Sequence, residues 1–247
     1  MIIDFHVHIG KTEKTRYYYT FSSYKKLMDE NGISKAVVMP NISSEIKASK
    51  LNTKLLDDCD LPSWGFPFIV IDPNDDLTFK QMLYNHVCGV KFHPSVSRYS
   101  TDSSLMSKFW KRCEERKLSV LVHCGRDKLS NIQYLVTTAK MFNKVNFIGA
   151  HLGGNATDII EKSLDILGKE KLDNLYLDIS AGKLPRLIKL AVSKIGADKI
   201  LFGSDVPYAD LKISKICLEL SEVSNIEMDM IFYDNAKKLL EVGNQIK

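Results

Sequence analysis

Eight short apolar, β-branched runs punctuate this chain, and a stretch of helical periodicity follows each of them. The runs are Met1–His8, Lys35–Met39, Gly65–Ile71, Val87–His93, Leu118–His123, Val145–His151, Asn174–Ile179 and Lys199–Gly203. Helical spacing of apolar residues covers Phe21–Asn31, Ser43–Cys59, Asp75–His86, Ser103–Lys117, Lys128–Phe142, Asp158–Lys169, Leu184–Ile195 and Leu211–Val223, with a last helix near Glu227–Val242. Regular strand–helix alternation requires a parallel sheet, because consecutive parallel strands need a long crossover between them. Strands that are apolar almost throughout fit a sheet covered on both faces.

Eight such units in 247 residues match a closed barrel. The expected architecture is therefore α/β, a single (β/α)8 TIM barrel over residues 1–247 with an additional C-terminal helix. An open doubly wound sheet would usually carry a glycine-rich phosphate turn after its first strand. That place is taken by His6-Val7-His8-Ile9-Gly10. The sequence shows no linker, internal repeat or low-complexity segment. A loop at Thr12–Thr20, with Arg16 and Tyr17–Tyr19, is expected to act as a lid or specificity segment, or simply to pack.

Composition excludes several function classes. The 34 basic and 30 acidic side chains give a formal charge of +4, too balanced and scattered for a nucleic-acid stripe. Five widely spaced cysteines without a C-x-x-C pair disfavour a disulfide framework or a structural zinc knot and fit a reducing cytosol. The amino terminus enters a strand at once, and no run of eighteen apolar residues occurs. A cytoplasmic protein with a small-molecule partner, no nucleic acid and no membrane is expected, with a homodimer left open.

Five segments place a metal-type ligand where a strand should stop: His6 and His8, His93, His123, His151 and Asp205. Strand residues two apart share a face, so His6 and His8 can aim at one point. Imidazole suits zinc and similar divalent ions, and a carboxylate is the usual harder partner. Alternation predicts that Asp4, His6 and His8 share the inward face, as do Lys91 with His93, Leu121 with His123, Gly149 with His151, and Gly203 with Asp205. All then finish at the carboxyl rim, where barrel enzymes do their chemistry. Asp4 lies deeper and reads as an orienting partner, whereas Asp178 reads by default as a turn or cap residue.

The segments Asp4-Phe5-His6-Val7-His8, Gly89-Val90-Lys91-Phe92-His93-Pro94, Val122-His123-Cys124-Gly125, Gly149-Ala150-His151-Leu152-Gly153-Gly154 and Leu201-Phe202-Gly203-Ser204-Asp205-Val206-Pro207 together resemble the amidohydrolase superfamily. The similarity is to its amidohydrolase-2 branch of metal-dependent hydrolases and decarboxylases, and it runs on to Asn235-Ala236-Lys237-Lys238-Leu239-Leu240. It implies that His6, His8, His123 and Asp205 hold a divalent metal, zinc foremost and manganese as an alternative, with His151 beside it as acid or base. In dinuclear relatives His123 and His151 serve a second ion, and a glutamate or carboxylated lysine bridges the pair. Only Lys91 could take that part here, and one ion is expected rather than two.

The expected reaction is hydrolysis, with water activated by the ion attacking an amide, lactone or ester carbonyl. Asp205, His151, His93 and Lys91 form the expected catalytic set, with His93, Arg98 and Arg126 binding a carboxylated substrate. The alternative is non-oxidative decarboxylation of an aromatic or unsaturated acid, in a cavity that Phe92, Tyr99, Tyr208 and Tyr17–Tyr19 could line. A metal-dependent phosphoesterase would call for more carboxylates at the rim, and a barrel that binds metal without turnover is the non-enzyme reading.

Overall fold

The computed structural model describes residues 1–11, 18–57, 61–181 and 183–241. Eight parallel strands pair in sequence order: β1 (Ile2–Ile9), β2 (Ile33–Pro40), β3 (Gly65–Ile71), β4 (Gly89–Phe92), β5 (Ser119–Val122), β6 (Phe147–Gly149), β7 (Leu175–Asp178) and β8 (Ile200–Leu201). A parallel bridge between Val7 and Val206, with Phe5 N–H bonded to Phe202 O, brings the last strand back to the first. The result is a nearly closed (β/α)8 barrel.

Helices α1 (Phe21–Asn31), α2 (Ala48–Asp57), α3 (Asp76–Gln81), α4 (Pro94–Ser97), α5 (Ser107–Arg116), α6 (Ile132–Met141), α7 (Thr157–Glu170), α8 (Pro185–Ile195) and α9 (Leu211–Glu219) join the strands. Last come α10 (Asn225–Asp229), a π-turn at Met230–Asp234 and α11 (Asn235–Glu241), the expected extra C-terminal helix. Several expected helices are shorter than their periodicity predicts. Asp75–His86 yields only α3, and Ser103–Lys117 and Lys128–Phe142 each open on a 3-10 turn. Cys59, Val242 and most of the expected lid, Arg16 and Tyr17 included, lie outside the described residues.

Two buried apolar layers follow from strand alternation. Outward-facing Val90, Phe92, Val120, Val122, Phe147 and Leu177 pack with the helices, while inward-facing Val37, Met39, Phe66, Phe68, Leu121, Ile148, Tyr176 and Leu201 fill the barrel. From α11, Ala236, Leu239 and Leu240 join the inner layer.

The expected alternation fails at two places. On β1 the inward residues are Ile3 and Phe5, and Val7 and Ile9 face the helices. Asp4 therefore does not share the face of His6, and its carboxylate accepts a hydrogen bond from Tyr24 Oη of α1 at 2.7 Å. The cause is a register shift in which Asp4 pairs with Ala36 but Val7 already pairs with Val38. One extra β1 residue is thus accommodated, as in a β-bulge, and the face exchanges beyond it. On β6, Ile148 and Ala150 belong to the inner layer, whereas a Cβ on Gly149 would meet Leu177 and Ile132 of the outer layer. Gly149 and His151 do not share the inward face through the strand, and His151 reaches the interior by another route.

Candidate metal centre and catalytic cavity

His6 rises inward just past the β1 shift and is fully buried. Its Nδ1 lies 2.8 Å from Asp178 Oδ2. An ionised carboxylate only accepts, so Nδ1 carries the proton and Nε2 keeps its lone pair. His8 Nδ1 likewise donates to Pro40 O at 3.0 Å, which leaves its Nε2 bare. The two Nε2 atoms stand 3.2 Å apart, with Asp205 Oδ1 at 3.3 Å from the first and 3.5 Å from the second.

Three lone-pair donors so close together in a buried site repel one another unless a cation is placed among them. Bonds of about 2.1 Å to one ion at tetrahedral or octahedral angles separate neighbouring ligand atoms by about 3.0–3.4 Å. The observed spacings lie at or just beyond that range, so His6, His8 and Asp205 fit a divalent ion in chemistry and in size.

Asp205 approaches from the segment after β8, with its backbone in the left-handed region at φ 67° and its N–H bonded to His6 O at 2.8 Å. Such a conformation in a non-glycine residue costs free energy that the surrounding structure must supply. Gly203 makes the approach feasible, because a Cβ there would lie 3.0 Å from His6 Cβ. Burial alone would raise the Asp205 carboxyl, and only positive charge among the His6, His8 and His151 rings beside it would pull it down.

His151 adopts φ 60° and ψ 38°, and Leu152 follows at φ 55°, so a left-handed turn rather than the strand delivers the imidazole to the cavity. Its Nδ1 is 2.7 Å from Ser180 Oγ, and that hydroxyl donates to Asp178 Oδ1. The serine proton is thereby committed, Nδ1 must donate, and His151 Nε2 faces His123 Nδ1 at 3.3 Å. Asp178 thus sets two rings, and also accepts the His151 backbone N–H at 2.8 Å. Burial opposes its charge, yet contact with His6 and His151 keeps its carboxyl well below the ordinary range.

Lys91 points inward from β4, and its Nζ lies 2.9 Å from His6 Nε2. Burial lowers it to about 8, against the pull of Asp205 and Asp178. A cation placed among the histidines would compete with the Lys91 proton, and this lowered basicity reduces the cost of giving that proton up. His93 follows β4 and stacks on His123 with ring centroids 4.0 Å apart and planes 10° from parallel. Burial, together with Lys91 and His8, lowers His93 to about 3. For His151, where burial again is the largest cause, the value is also about 3. Both rings are neutral at neutral pH.

These side chains line a cavity of about 250 Å³ that Ile42, Val96 and Tyr208 complete. Tyr208 sets its ring edge-on to His8 at 5.2 Å. Phe92 does not line it, since that side chain faces outward and packs on Trp110 at 5.8 Å. Arg98 and Arg126 are exposed and are not among its lining residues. Asp178, expected as a turn or cap residue, instead orients the site's imidazoles, and Ser180 joins it. The usable signal was alternation on β7, where Tyr176 faces the inner layer and Asp178 must follow it.

The family model described as amidohydrolase matches residues 3–242. Comparison with curated protein sequences gives no match. Among solved structures, the fold is similar to 2,6-dihydroxybenzoate decarboxylase from Rhizobium, with a TM-score of 0.75, 15% identity, and coverage of 98% of each chain. Dihydroxybenzoic acid decarboxylase from Polaromonas, with bound manganese and 2-nitroresorcinol, gives a TM-score of 0.74 at 15% identity, covering 98% of this chain and 97% of that one. A probable 2-pyrone-4,6-dicarboxylic acid hydrolase from Acinetobacter baumannii gives 0.68 at 17% identity, covering 97% and 99%. At these identities the likeness is one of fold.

Proposed function

The chain belongs to the amidohydrolase family, and from that premise we propose that it is a metal-dependent hydrolase acting on a small, carboxylated amide, lactone or ester. The supporting observation is the cluster of His6, His8 and Asp205, whose unprotonated atoms face one another at 3.2 to 3.5 Å. A divalent ion held by these residues, with His123 and His151 adjoining, would act as a Lewis acid and lower the pKa of water toward about 7. Zinc suits the two imidazoles and the carboxylate; manganese is the second choice.

The chain's own groups supply the remaining chemistry. Asp205, as a carboxylate facing the cavity, can accept a proton and then return it to a leaving group. His151, neutral and fixed by Ser180, offers a lone pair at Nε2 toward the same space. Lys91 lines the same cavity, and its amine N–H can hydrogen-bond a substrate carboxylate or a developing oxyanion. Buried from water, these groups interact more strongly than exposed ones would.

Decarboxylation of an aromatic or unsaturated acid is the second reading, supported by the fold likeness to two dihydroxybenzoate-type decarboxylases. A panel of lactones, amides, esters and carboxylated aromatics, assayed with zinc or manganese and with chelator, separates the two. Hydrolytic turnover lost with chelator and restored by metal is the expected result. Carbon dioxide release without hydrolysis would replace hydrolysis by decarboxylation, and tight metal binding without turnover across the panel would contradict both.

A further inference from the structure

A second polar chain stands behind the cavity wall and ends on His93; its other members, Asp127 and Ser95, belong neither to the metal cluster nor to the family motifs. Asp127 lies in the loop after β5, just before the 3-10 turn Lys128–Ser130. Its Oδ1 accepts the backbone N–H groups of Leu129 at 3.1 Å and Ser130 at 3.0 Å. That oxygen is committed to the turn. The other, Oδ2, accepts the Ser95 hydroxyl of α4 at 3.1 Å. Ser95 Oγ in turn lies 3.3 Å from His93 Nδ1 and 3.2 Å from Ser130 Oγ.

The direction of this chain follows from counting protons. A hydroxyl has one proton and two lone pairs, and the Ser95 proton goes to a carboxylate that cannot donate. The contact with His93 then requires the proton on Nδ1, so the remaining nitrogen, Nε2, carries a lone pair. The Asp178–Ser180–His151 chain shows the same order of groups across the cavity. The face-to-face contact with His123 restricts ring rotation, and the His93 ring forms part of the cavity wall.

We propose that Asp127, acting through Ser95, is a positioning residue that fixes His93 as its Nδ1–H tautomer, so that the cavity presents an acceptor to an O–H or N–H group of the substrate. A bare lone pair at Nε2 disfavours a carbonyl or ether oxygen in its place, since a lone pair facing a lone pair leaves both unpaired. A site built around such a hydrogen bond rejects analogues that lack the donor. This selectivity rests on the reading of the cavity as the catalytic one, whereas the tautomer does not.

Long-range 1H–15N correlation spectra of the full chain, selectively labelled with 15N-histidine and treated with chelator, read the tautomer directly. The His93 signals are assigned by their loss in His93→Gln. The expected wild-type pattern is Nδ1–H. In Asp127→Asn the side-chain oxygen still accepts the turn N–H groups, but an NH2 now faces Ser95, so the chain reverses and His93 changes to Nε2–H. Ser95→Thr keeps Nδ1–H, whereas Ser95→Ala loses it and serves if Asp127→Asn does not fold. A carboxylate that only capped the turn would leave the His93 tautomer unchanged. An Nε2–H pattern in the wild type, or an unaltered pattern in the folded Asp127→Asn or Ser95→Ala protein, overturns the proposal. The spectra need no turnover, so their failure is distinguishable from failure of the substrate panel.

Discussion

His6 and Asp178, 172 positions apart in the chain, share a 2.8 Å hydrogen bond inside the barrel that settles which nitrogen of His6 is free to bind. Replacing Asp178 with asparagine removes the obligate acceptor and lets the ring protonate at Nε2 instead. Loss of such an orienting partner typically costs 10- to 100-fold in metal affinity. A fall of about that size is expected for Asp178→Asn, measured by zinc competition with a chromophoric chelator. Unchanged affinity would remove Asp178 from the account.

Asp205→Asn and His151→Ala should damage turnover far more than folding. Proton-transferring groups commonly contribute about 10²–10⁴-fold to rate. A loss of at least about 10²-fold in kcat, with thermal melts shifted by only a few degrees, is expected on whichever substrate the panel yields. Full activity in either variant would contradict its assigned role.

Gly125 follows His123 by two residues, and a Cβ there would sit 3.0 Å from His123 Nε2. Gly125→Ala must therefore displace that ring by a few tenths of an ångström, and small misplacements at a reacting centre cost rate steeply. About a tenfold fall in kcat is expected with an unchanged circular dichroism spectrum. Wild-type kcat would show that the His123 ring position is not critical.

Burial raises Asp4 to about 6, although Tyr24 Oη and the backbone N–H groups of His6 and Ser204 all bond to its carboxylate. The folded state then binds a proton more tightly than the unfolded chain, so the contribution of Asp4 to stability is full below about pH 4. It is lost as pH rises through about 6. At about 1.4 kcal/mol per pK unit, the loss is about 3 kcal/mol. Asp4→Asn escapes it, so in metal-free protein the cost of this substitution should shrink by about 2–3 kcal/mol between pH 4 and 7.5. Urea denaturation at the two pH values measures this, and a pH-independent cost would contradict it.

Periodicity carried the barrel, because β-branched runs and helical spacing alternate eight times without interruption. It also carried the convergence of His6, His8 and Asp205, since residues at strand ends in a closed barrel have little choice of where to meet. The face each residue takes was less legible. Apolar Ile3, Phe5, Val7 and Ile9 alternate without a break against Asp4, His6 and His8, so the extra residue of β1 leaves no mark in the sequence and alternation puts Asp4 on the face of His6. The left-handed turn at His151 is equally silent, because neither His151 nor Leu152 is a glycine. From the sequence Asp178 reads as an ordinary turn residue, since its role depends on imidazoles contributed by other segments. Arg98 and Arg126 share the rim segments with the ligands, but short loops carry their side chains into solvent.

The metal content of the purified chain decides whether His6, His8 and Asp205 hold an ion. Elemental analysis after zinc or manganese loading and desalting should find about one divalent ion per wild-type chain and close to none in folded His6→Ala or His8→Ala. A wild-type chain that retains no ion, or alanine variants that retain a full equivalent, would contradict the metal centre.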